Sequence, residues 1–205
     1  RDVEQFRESA DNLFFVATSC DDAEEQYRYY DLAQAMSLSR RALATADKWG
    51  PNLEQFPLED HRDRLTEDIF DLLLLTARAQ LQHSNDEESV RQTMTYLDQA
   101  SELHPPTRGH FLLLADCYRF LSDDVKEKEF RQRAETESTA VKAMDHFLKG
   151  EELRKATAQH APTTDDHIEM RNRLFERAVE QFQQALKRDP KHYWSHLQLA
   201  RCYMG

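Results

Sequence analysis

The chain has 205 residues and carries 38 Asp and Glu against 27 Lys and Arg, a formal net charge of −11. That balance excludes the clustered positive charge that a nucleic-acid or anionic-membrane partner requires, and basic partners become the better electrostatic match. Only four glycines and six prolines interrupt a sequence rich in strong helix formers, so the composition predicts an all-α fold without a sheet.

In chain order, a first helix is expected from Val3 to Cys20, with Phe6, Leu13, Phe14 and Val16 on its apolar side. The acidic turn at Asp21 and Asp22 separates it from a second helix, Glu24 to Lys48, which Trp49, Gly50 and Pro51 stop. Trp49 to Pro57 reads as a loop. A third helix takes in Leu65 to Leu81, where Phe70, Leu74, Ala77 and Leu81 share one face while Leu72, Leu73 and Leu75 make most of the circumference apolar. Such a helix is expected to be central. Asp86 to Leu103 is the next, broken by Pro105 and Pro106, and His110 to Leu121 follows. Ser122, Asp123 and Asp124 form a cap-like turn before a helix over Val125 to Glu137. Further helices are predicted for Val141 to Thr157, Met170 to Leu186 and His192 to Met204, with the polar stretch Ala158 to Asp166 read as an insertion.

One motif occurs twice. Leu112, Leu114, Ala115, Cys117 and Tyr118 recur 85 residues later as Leu197, Leu199, Ala200, Cys202 and Tyr203, and the same offset relates Ala100 to Ala185 and Pro105 to Pro190. Two stretches therefore share the plan of amphipathic helix, proline turn, amphipathic helix. A repeat of this size buries its apolar face only by stacking on a neighbour.

Ala178, Phe182, Ala185 and Pro190, then Leu199, Ala200 and Tyr203, stand at the spacings of the tetratricopeptide repeat signature, which the chain resembles. An earlier copy is Leu97, Ala100, Pro105, Phe111, Leu114, Ala115 and Tyr118, and a degenerate middle copy keeps Ala134, Gly150 and Leu153. Ala115 and Gly150 are 35 residues apart, against a family period of about 34. Gly150 and Ala200 are 50 apart, which places the surplus near residues 158–169. The order of segments, among them YYDLAQAMSLSRRALATADKWGP and LDQASELHPPTRGHFLLLADCYRFL, is similar to the tetratricopeptide regions attached to large bacterial serine/threonine protein kinases. No kinase signature occurs in the chain, so any catalytic domain would lie outside it.

The resemblance implies a TPR-like helical-hairpin solenoid over residues 83–205, cut after the first helix of its last repeat, with a helical bundle or variant repeat over 1–82. It also implies a concave surface that holds peptides. Phe147, Trp194, Gln198 and Arg201 fall on or near that side and are the candidate peptide-binding residues. The neighbouring places hold Leu112, Leu113, Asp116, Leu148, Glu151 and Leu197, so the basic clamp for a C-terminal carboxylate is absent and an apolar, basic peptide is the expected ligand.

Other chemistry is weaker. His192 and His196, four apart, could share a metal on one helical face, yet His196 takes the place that Phe111 fills in the earlier copy, and no third ligand is near in sequence. Cys117 and Cys202 hold matching places beside small residues and read as buried hydrophobes rather than nucleophiles. Together with Cys20 they supply neither a disulfide framework nor a metal knuckle, which points to a reducing, cytoplasmic setting. Asp123, Asp124, Asp165 and Asp166 sit in predicted turns, where capping is commoner than acid–base work. No apolar run approaches the ~20 residues that span a bilayer. The reading is a non-catalytic interaction scaffold without cofactor or metal. The alternatives are a kinase-linked regulatory region, a structural spacer and, last, a metal-dependent enzyme. Since the chain opens at Arg1 and ends with an apolar helix, further sequence on both sides is expected, and self-association through the C-terminal end.

Overall fold

The computed structural model describes residues 4, 6, 8, 36–44, 59–83, 86–136, 141–159 and 165–204, and among these the regular structure is entirely helical. Helices are numbered α1 (36–44), α2 (Glu59–His83), α3 (Glu87–Leu103), α4 (Arg108–Phe120), α5 (Asp124–Glu135), α6 (Ala143–Gln159), α7 (Asp165–Arg188) and α8 (Tyr193–Met204). Most of the first two expected helices, and the loop at 49–57, lie outside the described residues. The chain divides into two compact units, one of Arg1–Pro106 with His110–Arg133, the other of Thr107–Gly109 with Ala134–Gly205. The boundary anticipated after residue 82 falls inside the first unit, in the last turn of α2, and α2 packs on α3.

In the first unit α2 is the core element. Leu65, Ile69, Phe70 and every residue from Leu72 to Ala77 are buried, as an apolar circumference requires. Thr76 is tolerated there because its hydroxyl donates to the Leu72 carbonyl at 2.7 Å and meets Ser39 Oγ of α1 at 2.6 Å. The α3 helix starts at Asp86, whose carboxylate accepts from the Ser89 amide at 2.8 Å. That bond satisfies an orphan donor of the first turn and holds the Asp86 carboxyl below its ordinary pKa. Val90, Tyr96, Leu97 and Ala100 form its buried face, and the His110 Nε2–H donates to the Leu97 carbonyl at 2.8 Å.

The turn after α4 closes with the Asp123 amide on the Tyr118 carbonyl at 2.9 Å, and Ser122 takes φ 57°, the left-handed residue of a helix-terminating motif. Asp123 then caps α5 by accepting from the Lys126 amide at 3.1 Å. The predicted cap-like role of this turn is therefore realised by Asp123.

In the second unit α6 and α7 pack along each other, and α7 also packs on α8. Gly150 permits the close approach: a Cβ there would lie 2.5 to 2.9 Å from three atoms of the Phe182 ring. The surplus between Gly150 and Ala200 lengthens the helices, since α6 runs to Gln159 and α7 begins at Asp165, five residues before the expected start at Met170. Asp145 organises the start of α6. Its Oδ1 accepts from the Thr107 hydroxyl at 2.6 Å and the Gly109 amide at 2.7 Å, and its Oδ2 accepts from the Lys142 amide at 2.6 Å. The last of these is half of a capping box. No helix among the described residues is long and apolar enough to cross a membrane.

Candidate functional site

Three helices carry a small residue at the place that the expected repeat register aligns: Ala115 on α4, Gly150 on α6 and Ala200 on α8. One side of α4 and of α8 is buried alike. Leu114 and Leu199 are 8% and 9% exposed, and Cys117 and Cys202 are 0% and 7% exposed. The side through the small residue differs. On α4 it carries Phe111, Ala115 and Tyr118, and α5 covers it: the Phe130 ring lies parallel to Tyr118 at 5.4 Å and faces Phe111 at 6.3 Å. Beside it Arg131 Nη2 reaches Asp116 Oδ1 at 3.1 Å. On α6 the same side carries His146 and Gly150, and α7 covers it with Gln181, 2.9 Å from His146 Nδ1, and with Phe182.

On α8 that side is open. Ala200, which corresponds to the fully buried Ala115, is exposed, and Tyr193, Tyr203 and Met204 are 62%, 69% and 79% exposed. With His196 they lie at the spacings of a single helical face. Tyr203 is thereby more exposed than the half-buried Tyr118, although the two hold matching places in the motif. His196, which takes the place that Phe111 fills in the earlier copy, is exposed and donates from Nε2 to the Pro190 carbonyl at 2.9 Å. Their positions in the repeat are core positions only where a helix covers them.

The four candidate peptide-binding residues sit elsewhere. Phe147 is fully buried, its ring 6.1 Å from Phe182 and 5.5 Å from His192. Trp194 and Gln198 are buried too, and Arg201 is half-buried. Three of the four therefore line the packing of α8 rather than an open surface. Gln198 is unusual there, because both amide atoms are buried and lack a hydrogen-bond partner among the described residues. Such an omission costs about 1–3 kcal/mol. On α6, Glu151 is buried at 3% exposure and compensated by Arg154, with Nε at 3.2 Å.

The histidine pair is used structurally. His192 precedes α8 and caps it, Nδ1 accepting from the Ser195 hydroxyl at 2.8 Å and from the Ser195 amide at 3.3 Å. Burial pushes its pKa down to about 4, against a smaller opposing pull from Asp189. Among the described residues no group of three His, Cys, Asp or Glu is placed to hold a metal ion. Burial raises the Cys117 thiol to about 12, with Asp116 adding to it, and raises Cys202 as well. Neither thiol is therefore activated as a nucleophile.

In the first unit a surface cavity of about 450 Å³ is lined by Glu87, Tyr118, Phe120, Leu121, Asp123 and Lys126. Its own Lys126 ammonium stands 4.7 Å from the Tyr118 ring centre and 3.9 Å from Asp123. Asp145 and Gly109 escaped the sequence reading. An acid three residues into a helix start was the available signal for Asp145, whereas nothing local marks Gly109, whose Cβ would collide with Asp145.

Comparison of the chain with protein-family models, curated proteins and solved structures returns no match.

Proposed function

We propose that the chain is a non-catalytic protein-interaction scaffold, built of TPR-like helical hairpins and displaying helix faces to a polypeptide partner. The observation that carries this reading is the repeated packing of the motif: Leu114 with Leu199, and Cys117 with Cys202, are buried in both copies, so the identity of the residues follows from one structural role used twice. Buried thiols with raised pKa values and a neutral capping histidine supply framework rather than reactive groups. Of the four candidate residues, Arg201 is the one that contributes to a surface, while Phe147, Trp194 and Gln198 set the position of α8.

The test is capture from a cell lysate with the purified chain, followed by reconstitution with the purified partner. A saturable complex of fixed stoichiometry is expected. A chain that captures no polypeptide would make it a spacer, and turnover of a substrate by the purified chain would make it an enzyme.

A further inference from the structure

The surface cavity of the first unit is walled by two kinds of group that suit one ligand chemistry. Tyr118, Phe120 and Leu121 give it aromatic and apolar surface, while Glu87 and Asp123 bring two carboxylates against the single ammonium of Lys126. Its volume of about 450 Å³ lies toward the lower end of the roughly 300–1,000 Å³ of ligand sites, enough for one long side chain. The walls are fixed before a ligand arrives. The Tyr118 ring lies parallel to Phe130, Asp123 Oδ1 accepts from the Lys126 amide, and Glu87 Oε1 accepts from Nε and Nη2 of Arg91. Groups held in this way lose little freedom on binding.

Lys126 shows what the cavity attracts. Its ammonium stands 4.7 Å from the centre of the Tyr118 ring, the placement of a cation on a π face, and 3.9 Å from Asp123 Oδ2. That separation is too long for a hydrogen bond, and the lysine side chain is 51% exposed, so the pair is a weak one. The protein's own cation therefore marks the place without saturating it. A planar guanidinium satisfies the walls better, since it stacks on an aromatic ring and offers a carboxylate two parallel N–H donors. Apolar side chains are exposed at the same α4–α5 turn, Phe120 at 44% and Val125 at 78%.

We propose that this cavity receives an arginine side chain of a partner polypeptide, with apolar neighbours of that arginine lying on Phe120 and Val125. The guanidinium displaces Lys126 from Tyr118 and pairs with Asp123, and Glu87 adds a second negative charge. The formal net charge of −11 draws a basic partner toward the molecule, and the cavity is where that attraction becomes specific. The proposal rests on the scaffold reading and names a contact surface and the partner's chemistry. Its distinguishing consequence concerns Lys126. Removing this basic residue tightens the binding of a basic ligand, and does so more than removing Lys128, which is exposed on the same helix but does not line the cavity.

The probe is the acetylated and amidated peptide Gly-Leu-Arg-Leu-Gly, titrated into the full isotope-labelled chain and followed by amide chemical shifts. Saturable shifts at residues 87 and 118–126 are expected, and the same peptide with citrulline, a neutral isostere of arginine, should leave those resonances in place. Lys126→Met should tighten binding about fivefold, the scale of one exposed cation–π contact with its ion pair, whereas Lys128→Met should change it less than about twofold. Asp123→Asn, which keeps a capping oxygen for α5, should weaken binding about fivefold. Equal binding of the citrulline peptide, shifts confined to other residues, or equal effects of the two lysine substitutions each overturn the proposal. So does binding of N-methylguanidinium alone as tightly as the peptide, because the cavity would then belong to a small cation. If the peptide leaves the cavity untouched while a polypeptide is still captured from lysate, the cavity is the wrong surface and the scaffold reading stands.

Discussion

The two copies of the repeated motif are nearly the same sequence in different circumstances. In the first, Tyr118 is half-buried against Phe130 and Ala115 is fully buried; in the second, Tyr203 is 69% exposed and Ala200 is exposed. The other halves of the two helices are buried equally, through Leu114 and Cys117 or Leu199 and Cys202. A helix of this kind has two apolar sides with separate jobs. One fixes it to the elements that precede it, and the other receives whatever lies over it. Packing within the second unit explains Leu199 and Cys202, whereas Ala200 is exposed and the Tyr203 hydroxyl accepts from Gln183 Nε2 at 3.4 Å at the rim of that packing.

The comparison is broken most severely in the packing beneath the second copy. Phe147→Ala would leave a cavity beneath Phe182 and His192 and should cost about 3–5 kcal/mol, measured by urea unfolding. A loss below about 1 kcal/mol would mean that Phe147 faces an open groove after all. A slightly smaller effect is expected from acid. The folded His192 has a pKa near 4 against an ordinary 6.5, so the unfolded chain takes up a proton first. The contribution is complete above pH 6.5 and is lost as the pH falls from 6.5 to 4, to a total of about 3 kcal/mol. His192→Gln should flatten the stability profile across that window relative to the native chain. A profile unchanged by the substitution would show that the ring is hydrated. The smallest effect sharpens the contrast itself: Tyr118→Ala should cost about 1–2 kcal/mol and Tyr203→Ala less than about 0.5, both read from thermal unfolding.

Much of the fold was legible because helices here announce themselves. Asp86, Asp123 and the prolines at 105 and 190 marked the boundaries, and the apolar circumference of Leu72 to Leu75 marked the core helix of the first unit. The starts of α2 and α7 ran earlier than expected, since the charged residues at 59–64 and 165–169 continue a helix without adding to its apolar face. Burial on α8 was the harder matter. Periodicity locates a side of a helix but not what lies against it, so Trp194 and Gln198 looked like groove residues although both are buried. Asp145 was missed for a related reason: its partners at Thr107 and Gly109 are more than thirty residues away in sequence, and spacing rules reach only one or two helical turns.

The most direct measurement is a pair of urea unfolding curves for Ala115→Glu and Ala200→Glu. A carboxylate at the buried site must be taken out of water beneath α5, which should cost about 3 kcal/mol or more, while the same substitution on α8 should change stability by less than about 0.5 kcal/mol. Equal losses at the two positions would show that the α8 face is already covered, and would contradict the account.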